Sequence, residues 1–155
     1  MYELKIIREK REGYGARKQF RSSQDIYDTF REHFERSDRE AFLVVLLDAK
    51  NKLLGFHVVS VGSLTSSLIH PREVFKIAIL SNAAAVILVH NHPSGDPQPS
   101  AEELSITTRL CQTGEVIGIK VLDHVIMGEG RYVSFVDDGF MDRSYASPVQ
   151  ERGAV

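Results

Sequence analysis

Residues 83–90, AAAVILVH, are the most apolar run in the chain and end directly on the loop His90-Asn91-His92-Pro93-Ser94-Gly95-Asp96-Pro97-Gln98-Pro99. Eight residues are too few for a buried helix of ordinary length, so the run predicts a central strand covered on both faces. A strand covered on both faces needs layers of structure above and below it, and the flanking segments supply them. Ser22 and Ser23 precede a pattern in which Ile26, Phe30 and Phe34 recur every four residues, with Tyr27 beside them. This predicts a serine-capped amphipathic helix ending near Ser37. The run AFLVVLL at 41–47, the polar turn 48–52 and a second apolar run at 53–61 predict a β-hairpin. Pro71 opens a second helix, with Val74, Phe75, Ala78 and Ile79 on one face, running to about Asn82. A third helix starts at Ser100 and is expected to stop at Gly114, and strands follow at 119–127 and 132–135. With an N-terminal strand the order is strand, helix, hairpin, helix, strand, helix, strand, strand. That order predicts an α/β single-domain sandwich, a mixed β-sheet flanked by helices.

The ends differ from the middle. Residues 1–21 form a basic arm or edge strand, and over 5–21 Lys5, Arg8, Lys10, Arg11, Arg17, Lys18 and Arg21 face only Glu9 and Glu12. Such an arm can bind a phosphate backbone, but it also reads as an edge strand protected by its charges, the more ordinary case. Residues 22–141 form the domain, and 142–155 read as a flexible tail. A formal charge of -2 leaves no global signature for nucleic acid. Cys111 is the only cysteine, which excludes an intrachain disulfide and a multi-thiolate zinc site. No apolar leader and no membrane-length run is present, so the expected location is the cytoplasm.

The chemistry is concentrated after the central strand. Residues i and i+2 of an extended chain share a face, so His90 and His92 can aim both rings at one point. Three prolines and Gly95 restrict the loop that follows and deliver Ser100, Glu102 and Glu103 to the start of a helix. Two imidazoles and a carboxylate leave a fourth tetrahedral position open, the plan of a catalytic zinc site. Each part also has a plainer reading. The histidines could serve a turn, and Ser100-x-x-Glu103 matches a helix capping box that competes for Glu103. His124 reads as a satisfied core histidine beside a turn or edge acid, Asp123. The alternative is that the pair supports the metal ligands from behind. His57 and His70 read as structural and His33 as a helix-surface residue.

The pattern His-x-His, seven residues, Ser, two residues, acid resembles the JAMM (MPN-plus) metalloprotease signature. The spelling from His90 to Ser100 resembles its RadC-like branch, as do His70-Pro71-Arg72-Glu73, Asn82 to Ala85, and Leu122-Asp123-His124-Val125-Ile126. The resemblance covers roughly 22–140. It implies the JAMM sandwich, similar to that of cytidine deaminases, and a zinc-dependent peptidase or isopeptidase acting on a protein or peptide. It carries the metal-ligand roles to His90, His92 and Glu103, and the oxyanion-stabilising role to Ser100. The family usually has aspartate where Glu103 stands, and glutamate moves the carboxylate by more than about an ångström; Glu102 is the fallback. The family's general base is a glutamate upstream at the start of a strand. Glu40 matches that place best, with Glu73 and Glu35 as competitors. RadC proteins often carry an N-terminal helix-hairpin-helix region, for which this chain has no room. A DNA-associated function and a non-catalytic interaction module remain as alternatives. Zinc deaminase chemistry is excluded by the missing Pro-Cys-x-x-Cys ligands, and the letters HNH here are contiguous, unlike those of an HNH nuclease.

Overall fold

The computed structural model describes residues 18–35, 37–62 and 69–142. It contains three helices and five strands: α1 (Ser23–Phe34), β1 (Ala41–Leu47), β2 (Leu53–Val61), α2 (Pro71–Leu80), β3 (Ala85–Asn91), α3 (Ala101–Ile117), β4 (Lys120–Met127) and β5 (Tyr132–Ser134). The strands form one mixed sheet in the order β2-β1-β3-β4-β5. Neighbours are antiparallel except β3 and β4, which are parallel and joined through α3. The expected α/β sandwich with a mixed, helix-flanked sheet is therefore the architecture.

Strand alternation divides the core into two layers. Phe42, Val44, Leu46, Val86, Leu88 and Ile126 face α2 and α3, meeting Val74, Phe75, Ile106 and Leu110. Leu43, Val45, Ile87, Val89 and Val125 face α1, meeting Ile26, Phe30 and Phe34. All seven residues of β1 and of β3 are buried, as a strand covered on both faces requires.

Several boundaries differ from the sequence reading, each for a local reason. Helix α1 ends at Phe34, three residues early, because Glu35 caps it and Ser37 N–H closes a turn onto the Phe34 carbonyl at 2.9 Å. Helix α2 ends at Leu80, and Asn82 adopts a left-handed φ of 52° that no helix continues through. Gly114 does not stop α3. It lies inside the helix, where a Cβ would run into the Ile119 carbonyl and the Phe75 ring, and the true terminator is Gly118 at φ 76°. Strand β3 extends through Asn91. Of the basic arm, residues 1–17 lie outside the described residues, as do 143–155 of the expected tail. The arm's end runs along the sheet margin, where Gln19 bridges Lys52 and Leu53 N–H donates to the Lys18 carbonyl at 2.8 Å. No helix among the described residues is long and apolar enough to cross a membrane.

Candidate metal centre

The site lies where the carboxyl end of β3 meets the amino end of α3. Its first member, His90, is fully buried, stacks on Phe42 (5.8 Å between centroids) and lies opposite Phe42 in the β1–β3 register. His92 lies just beyond the strand, its N–H donating to the Met127 carbonyl at 2.9 Å. The loop after it is fixed by more than its prolines. Gly95 N–H donates to the His92 carbonyl, Glu129 N–H donates to the Gly95 carbonyl, and a side chain at Gly128 would collide with that same carbonyl. The φ of 85° at Gly95 is left-handed, which suits glycine there.

Helix α3 presents Glu103 to this loop. Its Oε1 lies 3.1 Å from His90 Nε2 and 2.9 Å from His92 Nε2, and the two ring nitrogens are 3.0 Å apart. Its Oε2 accepts the Ser100 N–H at 2.7 Å, while Ser100 Oγ accepts the Glu103 N–H at 3.2 Å. Capping and ligation therefore do not compete, because they use different oxygens of one carboxylate. Among the described residues, His90, His92 and Glu103 are the group of histidines, cysteines and acids able to hold a metal. Glu102 is exposed and is not part of it.

The hydrogen-bond partners show which ring nitrogens carry protons. His92 Nδ1 lies 2.7 Å from the Asp96 carbonyl, which can only accept, so Nδ1 donates and the neutral ring keeps its lone pair on Nε2. Burial pushes the His90 pKa down, against the pull of Glu103, so that ring is neutral. The Glu103 hydrogen bond, opposed by partial burial, raises that of His92. Burial alone would raise the Glu103 pKa, but its closeness to both imidazoles, either of which it would stabilise in the protonated form, and the bond from Ser100 N–H hold it well below the carboxylate range. The result is a cluster of electron-pair donors at about 3 Å that lack a shared positive charge unless a proton or a cation enters. Ligand atoms around a tetrahedral ion with bonds of about 2.0 Å sit roughly 3.3 Å apart. The two-nitrogen, one-oxygen set and its spacing are compatible with a small metal cation.

Three carboxylates competed for the role of base, and the structure separates them. Glu40 is half-buried immediately before β1, and its carbonyl accepts the Gly62 N–H at 2.7 Å. The antiparallel register carries it level with His92, and its charge adds to the rise in the His92 pKa and slightly opposes the fall in that of His90. Glu73 is partly exposed on α2 and paired with Lys76 at 2.8 Å. Glu35 is exposed at the end of α1, lining a groove of about 500 Å³ with Tyr27, Arg31, Asn91, His92 and Gly128. Ser100 is exposed at the helix start beside the ligands; its oxygen accepts from Glu103 N–H, which leaves the hydroxyl proton to donate elsewhere.

The remaining candidates divide into those that hold as read and those the sequence did not reveal. His124 is fully buried, with Nε2 2.7 Å from His90 Nδ1, so it is not merely a satisfied core histidine. Thr107, one helical turn after Glu103, contacts His124 Nδ1 at 2.6 Å; the i, i+4 spacing was the available signal. Asn91 joins β3 to the start of β1, accepting Ala41 N–H at 2.8 Å and donating to the Arg39 carbonyl at 3.1 Å. Asp123 serves the β4–β5 corner instead of the ligands, accepting His124 N–H, Val136 N–H and the Ser134 hydroxyl. His33, His57 and His70 lie outside the ligand group.

A mixed sheet whose central strand brings His90 and His92 to the first turn of the following helix is the architecture of the JAB/MPN class of α/β domains. Within that class the chain belongs to the RadC-like JAB domain family, whose model matches residues 20–140. Among curated relatives, a UPF0758 protein of Pelobacter propionicus is 54% identical over 124 residues, covering 79% of this chain and 53% of the relative. One of Geotalea uraniireducens is 48% identical over 143 residues, covering 89% and 63%. One of Methanosarcina acetivorans is 49% identical over 120 residues, covering 77% and 52%. The chain thus spans between about half and two thirds of the length of these relatives.

Proposed function

We propose that this domain is a zinc-dependent hydrolase that cleaves a peptide or isopeptide bond in a protein or peptide substrate. The observation that carries the reading is the convergence of His90 Nε2, His92 Nε2 and Glu103 Oε1 within 3.1 Å of one another. In such a site zinc supplies Lewis acidity, polarising a scissile carbonyl and making water a better nucleophile at neutral pH. The Glu40 carboxylate accepts a proton from the attacking water as the C–O bond forms, and returns it to the departing amine when the C–N bond then breaks. The Ser100 hydroxyl donates to the oxygen that gains negative charge.

Zinc content and turnover test this reading together. The purified chain should hold one zinc, lost in both His90→Ala and Glu103→Ala. Glu40→Gln should retain the zinc and lose hydrolysis of a mixed peptide and isopeptide panel by on the order of a hundredfold or more. A wild-type chain that takes up no zinc, or a Glu40→Gln variant with undiminished turnover, would overturn the respective assignment.

A further inference from the structure

Behind the ligands, on the side away from solvent, a hydrogen-bonded line runs from α3 through β4 to β3. Thr107 Oγ1 lies 2.7 Å from the Glu103 carbonyl and 2.6 Å from His124 Nδ1. His124 Nε2 lies 2.7 Å from His90 Nδ1. The His124 ring has little freedom to turn, since it stacks on Phe135 at 4.5 Å and meets the edge of Phe42 at 5.6 Å.

The proton positions along this line follow from its first bond. The Thr107 hydroxyl gives its single proton to the Glu103 carbonyl, which can only accept. Toward His124 the hydroxyl must then accept, which places a proton on His124 Nδ1. A neutral imidazole carries one proton, so His124 Nε2 is an acceptor. His90 Nδ1 must therefore be the donor, and the His90 lone pair lies on Nε2, the atom facing His92 and Glu103.

We propose that Thr107 and His124 are positioning residues that set the tautomer of His90, so that its Nε2 is presented to the metal already free of a proton. The inference rests on the metal-site reading above and adds to it the means by which the buried ligand is prepared. Histidine ligands commonly give their second nitrogen to a carboxylate or a backbone carbonyl. Here the partner is a second histidine, which can accept or donate, and the threonine hydroxyl decides which. Because Thr107 bonds the Glu103 carbonyl, the part of α3 that carries the acidic ligand also fixes the proton on the histidine ligand.

The test combines zinc affinity by chelator competition with long-range proton–nitrogen NMR of the imidazoles, on wild type, Thr107→Val and Thr107→Ser. The metal-free wild type should show His124 and His90 both protonated at Nδ1. Thr107→Val keeps the side-chain shape but removes the acceptor, so His124 should shift its proton to Nε2 and drive the His90 proton onto its own Nε2. Zinc should then bind about 10–100-fold more weakly. Thr107→Ser should restore both tautomers and affinity. Wild-type zinc binding with either ring protonated at Nε2 before metal is added overturns the proposal and leaves the metal site standing. So does unchanged affinity in Thr107→Val, or a loss that Thr107→Ser shares. A wild type that binds no zinc overturns both. The tautomer measurement on wild type decides the matter even if a variant does not fold.

Discussion

Ser100 and Glu103 hold each other by two reciprocal bonds, at 2.7 Å and 3.2 Å, and this leaves one Glu103 oxygen turned toward both histidines. A helix cap thus aims a ligand. Glutamine satisfies a capping box as glutamate does, but its amide nitrogen is no metal ligand. Glu103→Gln should therefore keep the metal-free stability within about 1 kcal/mol of wild type and abolish zinc binding. Thermal melts with and without zinc check this; a zinc-induced rise in Tm in the variant would contradict it.

The raised pKa of His92 gives metal-free and zinc-loaded protein opposite pH dependences. A group whose pKa rises on folding stabilises the folded state below its unfolded value, about 6.5 for histidine, and that contribution fades as pH rises through the folded value. Zinc needs the neutral ring, so its binding strengthens over the same interval. The rise in Tm on adding zinc should be larger at about pH 8 than at about pH 6. A rise that is flat or shrinks across that interval would argue against His92 as a ligand.

Asn91 fastens the start of β1 to the end of β3, bonding Ala41 N–H and the Arg39 carbonyl on either side of Glu40. Asn91→Leu leaves a buried N–H without its partner, at a cost of about 1–3 kcal/mol. Denaturant unfolding should show a lower midpoint with an unchanged slope. Turnover should fall while zinc content holds, because Glu40 loses its tether and the ligands do not. Loss of zinc in this variant would mean that Asn91 supports the ligands themselves.

Asp123 has its pKa pushed up to about 6 by burial, against the bonds from Ser134, Val136 and His124. A carboxyl with a raised folded value contributes stability below its unfolded value, near 3.8, and loses it as pH climbs to about 6. Wild type should therefore lose ground to Asp123→Asn between about pH 4 and pH 7, by on the order of 2 kcal/mol. Parallel urea titrations across that range check the sign. A gap between the two proteins that stays constant would place the carboxyl's titration outside the range.

The sheet and its two helical layers were legible because strand and helix periodicities are strong in the runs 41–47, 83–90 and 22–34. The His-x-His pair was legible for the same reason, since alternation alone puts both rings on one face. The role of His124 was not. A bulge between Val86 and Ile87 sets Asp123 opposite Ile87 and His124 opposite Leu88. Without it the register would put Asp123 opposite Leu88, on the α3 side, and turn His124 toward α1. One unpaired residue thus decides which of two adjacent polar side chains reaches His90, and no local pattern announces it. Gly114 was misread because a glycine late in a helix signals an end, whereas here it clears space for the Ile119 carbonyl.

The cap at Ser100 also bears on how such a site would decay over generations. A mutation at Glu103 to anything but glutamine loosens the start of α3 whether or not any reaction still depends on it, so selection for a folded chain alone guards that position. His92 has less to protect it, since among the described residues its side-chain bonds outside the cluster reduce to one loop carbonyl. In lineages that abandon the chemistry, the histidine should drift first while the acid lingers, and a surviving glutamate at the helix start is poor testimony that its domain still works.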